Sequence, residues 1–138
     1  MISAIVAVVG ALAVAAVVGW LLNRRAGHVR AIDSGTAGEV DTSDLGLSAH
    51  GPTVLHFSAP WCSPCTQVRR VVTQVCEDLG DVAHVEIDMD ANPTAARRLS
   101  VLSLPTIFVF DAGGRQRYRA AGVPKADDLR SALAPLLA

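Results

Sequence analysis

Between Ile2 and Leu22 the chain reads ISAIVAVVGALAVAAVVGWLL, a stretch without one charged side chain. At about 1.5 Å rise per residue, a helix of this length covers the roughly 30 Å of bilayer hydrocarbon. It is apolar on every face, unlike a helix packed against a soluble core. A cleaved signal peptide would carry a basic segment ahead of a shorter apolar stretch, and no Lys or Arg precedes this one. The run is therefore expected to be a single membrane anchor, residues 1–22, and to account for much of the mean hydropathy of +0.37. Arg24, Arg25 and Arg30 follow it while only the amino terminus precedes it. That bias places the rest of the chain in the cytoplasm, as a single-pass protein of the cell membrane. The outward arrangement stays open, because an N-terminal anchor also delivers small redox domains to the other side.

Residues 23–52 are rich in Gly, Ser, Thr and Asp with isolated Val, and hold no sustained period. They read as a juxtamembrane linker with a short ordered piece near Val40–Leu47. The globular part is expected over 53–138. The chain has 138 residues and 51% hydrophobic composition, enough for one compact domain besides the anchor. A net charge of −1 and a pI near 6.4 give no electrostatic case for nucleic acid. There are no internal repeats, and the domain is expected to be a monomer.

Thr53–Ala59 (TVLHFSA) is a β-branched and aromatic run behind Gly51-Pro52, hence a strand buried on both faces. From Cys62 to Leu79 the apolar positions Val68, Val71, Val72, Val75, Cys76 and Leu79 recur at helical spacing, and Gly80 closes the pattern. Val82–Asp88 alternates as a second strand, and Pro93–Leu99 reads as a short helix with proline at its first position. PTIFVFD, AGG and RQRYRAAG then spell strand, tight turn and strand. A final helix is expected over Asp127–Leu137, with acidic residues at its N-terminus and Pro135 kinking or shortening it. This order implies an α/β fold: a parallel strand pair joined by a helical crossover, extended by an antiparallel hairpin into a mixed sheet, with helices on both faces.

Three cysteines are too few for a disulfide-stapled scaffold. Two of them, in Ala59-Pro60-Trp61-Cys62-Ser63-Pro64-Cys65, lie where the first strand feeds the long helix. At a helix start Cys62 meets unsatisfied backbone N–H groups and the positive end of the dipole, which favour thiolate over thiol. Cys62 is then the nucleophile. Cys65, one turn further, is placed to resolve a mixed disulfide by attacking Cys62. Trp61 offers a flat apolar surface for a partner chain or, equally, a lid on the core. Pro64 fits a first turn, where a missing N–H costs little.

With these residues the chain resembles the thioredoxin family. Trp61-Cys62-Ser63-Pro64-Cys65 matches the W-C-G-P-C signature of that family at four of five places. Leu104-Pro105-Thr106 is similar to its cis-proline segment, and Gly122 to the glycine bordering its active surface. The likeness covers roughly Thr53 to Ala138. It implies a thioredoxin-like fold and a thiol–disulfide oxidoreductase acting on protein disulfides, with Trp61, Leu104, Pro105 and Thr106 shaping the substrate groove. No bound cofactor or metal is needed, because the electrons reside on Cys62 and Cys65. Recharging is implied from a flavin-dependent thioredoxin reductase if the domain is cytoplasmic, or from a membrane electron donor if it is outside. Two departures stand out. His56 occupies the place of the buried Asp that the family uses to accept a proton from the second cysteine, and His84 that of its partner Lys. A neutral imidazole can accept a proton, so His56 is a candidate for that role, beside the plainer reading of a hydrogen-bonded core residue. Ser63 replaces the usual Gly. Since related dithiols span about 150 mV, the direction of electron flow is left open.

Other chemistries fit less well. A zinc site from Cys62, Cys65, Cys76 and His84 fails on distance, since Cys76 would lie about 16 Å along the helix from Cys65. Cys76 is expected in the core. Asp88–Asn92 imitates the start of a calcium loop but has Pro93 and Leu99 where Gly and Glu are required, so it reads as a strand end and helix cap. Arg115, Arg117 and Arg119 alternate on one strand face, a pattern that can steer acidic partners but more often marks a solvated edge. A silent binding scaffold on the same fold would not need both cysteines.

Overall fold

The computed structural model describes residues 2–24, 27–32 and 40–138. Arg25, counted above among the flanking arginines, lies outside the described residues. The strand Thr53–Ser58 (here β2) sits at the centre of the sheet, and all six of its residues are buried. A run so rich in β-branched and aromatic residues tolerates burial on both faces. On one side it pairs in parallel with Ala83–Asp88 (β3), from Thr53↔Ala83 to Ser58↔Asp88. On the other it pairs antiparallel with Thr106–Phe110 (β4), which turns through Asp111–Arg115 into Gln116–Ala121 (β5). Gly114 takes φ +75° in that turn, a region open to glycine at little cost. The parallel pair is joined by the helix Ser63–Leu79 (α2); Pro93–Arg98 (α3) and Ala126–Leu137 (α4) complete the described domain. This is the expected thioredoxin-like mixed sheet flanked by helices.

Alternation along the strands divides the core in two. Val54, Ile107 and Val109 face α2 and α4, where Val68, Val72, Val75, Cys76, Leu129 and Leu133 meet them. Leu55, Phe57, Phe108 and Phe110 face the other way, against Ala95, Ala96 and Leu99 of α3 and its end. Fully burying an aromatic or aliphatic side chain of this size contributes about 1.5–3 kcal/mol, so these layers fix which face of β2 each residue meets. The α4 helix continues past Pro135 to Leu137 instead of ending there. The ring removes one hydrogen bond in the last turn, and Leu136 and Leu137 still pack on the core beside it.

Parts of 23–52 join the sheet domain. Arg30–Ala31 (β1) pairs antiparallel with β5, Arg30 opposite Arg119 and Ala31 opposite Tyr118, giving the order β1-β5-β4-β2-β3. Gly27 N–H donates to the Ala121 carbonyl (2.6 Å) and Ile32 N–H to the Arg117 carbonyl (2.9 Å), so the attachment extends beyond the two paired residues. Leu45 is buried in the α3-side core, with Val40 and Leu47 packed beside it. β5 is thus covered along part of its length, which changes the reading of Arg115, Arg117 and Arg119 as an open edge.

Ile2–Arg24 (α1) is one helix long and apolar enough to cross a membrane, and none of its described span is buried against the domain. The Arg24 guanidinium lies 3.7 Å from the Trp20 ring centroid at its end, a combination suited to a membrane interface.

Candidate active site

The β2 strand delivers the chain to the start of α2, and Cys62 is the residue that precedes the first helical turn, at φ −86° and ψ 94°. Its carbonyl accepts the Cys65 N–H (3.2 Å), and its own N–H donates to Ala59 (3.0 Å). Cys62 and Cys65 form a disulfide. Both residues are buried, Cys62 with 7% exposure and Cys65 with 2%. Cys65 Sγ lies 3.9 Å from the Phe57 carbonyl. Cys76, in contrast, is a reduced core residue whose thiol is pushed up to about 11 by burial, with the Glu77 carboxylate adding to it.

The segment before β4 comes to the same place. The Leu104–Pro105 peptide bond is cis. Leu104 is half-buried and packs against the cluster of Ala59, Cys62 and Cys65. Pro105 is buried, and its carbonyl accepts the Gly122 N–H at 2.9 Å, Gly122 having φ +90°. Thr106 turns inward, 1% exposed, its hydroxyl donating to the Ser103 carbonyl (2.6 Å). It braces the loop from within, while Leu104 and its neighbour Leu102, 93% exposed, form the outer surface. Trp61 is 66% exposed and is no lid on the core. Its indole N–H donates to the Asp90 carboxylate (2.9 Å), which fixes the ring beside the cysteines. Asp90 was not marked by the sequence: Asp88–Asn92 forms a turn in which the Asp88 carboxylate accepts two backbone N–H groups, and this turn presents Asp90.

His56 is completely buried on the α2-facing side of β2. Its Nδ1 lies 3.1 Å from His84 Nε2, and His84 Nδ1 lies 3.5 Å from the Thr73 hydroxyl of α2. The register His56↔Glu86 brings the Glu86 carboxylate to 3.6 Å from His56 Nε2, too long for a hydrogen bond, so that nitrogen is buried without one. Arg69 of α2 grips Glu86 through two hydrogen bonds, 2.7 and 2.5 Å. Burial pushes His56 down to about 4 against the pull of Glu86, and burial lowers His84 as well. Hydrogen bonds from Arg69 hold Glu86 down at about 2. The site therefore has a neutral imidazole pair beside an ionised carboxylate already satisfied by Arg69. Among the described residues, no group of three or more His, Cys, Asp or Glu side chains is placed to hold a metal ion.

Against known proteins, residues 42–135 match the family profile described as Thioredoxin. The chain is 38% identical over 87 residues to a thioredoxin of Mycolicibacterium smegmatis, covering 59% of this chain and 77% of that one. It is 39% identical over 75 residues to a thioredoxin of Pyropia yezoensis, covering 54% and 70%. In structure it matches a mutant thioredoxin from Halobacterium salinarum with a TM-score of 0.62 and 29% identity, over 73% of this chain and 87% of the other.

Proposed function

Since the chain belongs to the thioredoxin family, we propose that it works as a membrane-anchored reductant of protein disulfides. It is a thiol–disulfide oxidoreductase with a C-x-x-C pair. Cys62 takes the attacking role because it precedes α2, where the backbone N–H groups and the dipole favour its thiolate, and because it is the slightly more exposed residue of the pair. The Cys62 thiolate attacks one sulfur of a substrate disulfide. That bond breaks, one substrate sulfur leaves as thiolate, and a mixed disulfide remains on Cys62. Cys65, deprotonated, then attacks Cys62 Sγ, closing the Cys62–Cys65 disulfide and releasing the second substrate thiolate, so two electrons have passed to the substrate. Leu104, packed against the cysteine pair, and Trp61, held by Asp90, border the groove for the substrate chain. Pro105 and Thr106 shape it from beneath.

In this scheme His56 takes the proton of Cys65 only in passing, since burial holds it neutral down to about pH 4, and hands it on to His84. His56 is buried and neutral, it adjoins Phe57, whose carbonyl touches Cys65 Sγ, and its Nε2 has no hydrogen bond. The hydrogen-bonded pair His56–His84 gives the proton a way out toward α2 and solvent. The α1 helix anchors the domain, residues 1–22 spanning the bilayer, and Arg24 and Arg30 keep the domain cytoplasmic. A thioredoxin reductase is the donor on that side, and a membrane electron donor would replace it on the other.

Thiol trapping in intact cells with a membrane-impermeant maleimide tests side and direction together. A cytoplasmic reductant leaves Cys62 and Cys65 unlabelled until the membrane is permeabilised and labelled afterwards. Labelling before permeabilisation places the domain outside. A pair that stays disulfide-bonded after permeabilisation contradicts the reductant role.

A further inference from the structure

The short strand β1 covers part of β5 and builds a wall next to the cysteines. A groove of about 710 Å³ opens between this strand, the end of β5 and the Leu104 loop. Arg30, Arg119 and His28 line it together with Ser103, Leu104 and Leu22 of the apolar helix. Leu104 is common to the groove and to the cysteine cluster, so the two are one side chain apart. Among the described residues, no carboxylate lines this groove.

The charges are arranged in an unusual way. Arg30 and Arg119 are direct cross-strand partners, and like charges so placed destabilise a sheet. Arg119 is fixed: its guanidinium donates to the Leu99 carbonyl (2.9 Å) and the Ser100 carbonyl (2.5 Å) and lies 5.0 Å from the Phe108 ring centroid. His28 has Asp128 at 3.9 Å. Arg30 is exposed and has no ion-pair partner among the described residues. The strand carrying it is nonetheless tied to β5 on both sides, through Gly27 and Ile32. Gly27 is indispensable to that tie, having φ +82° with space for no Cβ, which would sit 2.0 Å from the Val123 carbonyl oxygen.

Resting on the reductase reading above, we infer that Arg30, backed by Arg119, makes this groove a specificity pocket for substrate polypeptides that carry acidic side chains close to the reactive cysteine. Because Leu104 borders both the groove and the cysteine pair, the acidic position is placed near the cysteine that reacts with Cys62. The juxtamembrane segment is then part of the substrate site and not a passive spacer.

The test uses the full-length protein in neutral detergent micelles and three disulfide-linked peptides identical except for Glu, Gln or Lys at the second and fourth positions on either side of the cysteine. The Glu peptide is expected to be reduced with a kcat/KM about 3–10-fold above the Gln peptide at low salt, the advantage shrinking in high salt. Arg30→Glu should reverse the order in favour of Lys, and Gly27→Ala, which displaces the wall without touching its charge, should level the three. Equal rates on the three peptides, or an order untouched by Arg30→Glu, would overturn the assignment while leaving the reductase intact. No reduction of any peptide would overturn the reductase reading and this one with it. If Arg30 instead governs binding to vesicles of anionic phospholipid and the peptide order is flat, the groove serves a lipid headgroup and the inference is wrong.

Discussion

Acidification should destabilise this protein through His56. In the folded chain burial holds His56 at about 4, whereas in the unfolded chain it returns to its ordinary 6.5. Below about pH 6.5 the unfolded state takes up a proton that the folded state refuses, so stability is full above that value and falls as the pH drops toward 4. At about 1.36 kcal/mol per unit, the loss is capped near 3 kcal/mol, and most of it is in force at pH 4.5. His84 is lowered by burial too and adds in the same sense. The Glu86–Arg69 pair enters only at the acid end of this window: near pH 4.5 the unfolded chain begins to protonate Glu86 while the folded carboxylate stays ionised down to about 2, so it adds a small loss in the same sense there. Denaturant titrations of the full-length chain in neutral detergent, at pH values from about 7 to 4.5, read the loss directly. His56→Gln should remove about 2–3 kcal/mol of the pH dependence whatever it does to stability at pH 7. A wild-type stability that is flat across the window, or a variant that retains the whole slope, would refute the reasoning.

Further outcomes follow from the packing. Leu133→Ala empties a fully buried position between α2 and α4 and should cost about 2–5 kcal/mol, read as a lowered denaturation midpoint of the oxidised protein. Cys76 should resist iodoacetamide at pH 8 until denaturant is added, since its thiol is buried and raised to about 11; rapid native labelling would contradict that.

Much of the sheet domain was legible in the chain because its elements carry dense local signals. The helical spacing from Val68 to Leu79 and the unbroken apolar run of Thr53–Ala59 each specify a buried face. A parallel pair then needs the crossover that α2 supplies. The cysteine pair was legible for the same reason, lying where those two patterns meet. The attachment of Arg30–Ala31 to β5 was not. It is made by backbone groups of a two-residue strand whose side chains are exposed, so no periodicity announces it. An ordered piece near Val40–Leu47 was legible, but three apolar residues in a polar stretch without a period do not say that Leu45 is core. The two histidines were visible as residue types. That Glu86 and Arg69 join them depends on the β2–β3 register and on which turn of α2 lies over it, and neither is encoded locally. Thr106 points inward because β4 begins at it, which sets the pleat one residue after the cis bond.

The attacking role of Cys62 is the claim on which the functional account stands. Brief exposure of the reduced, full-length protein to a substoichiometric amount of iodoacetamide near neutral pH, followed by peptide mapping, measures which sulfur is the reactive thiolate. The carboxamidomethyl group is expected on Cys62, the sulfur at the opening of α2. Modification mainly at Cys65 or Cys76 would contradict the account.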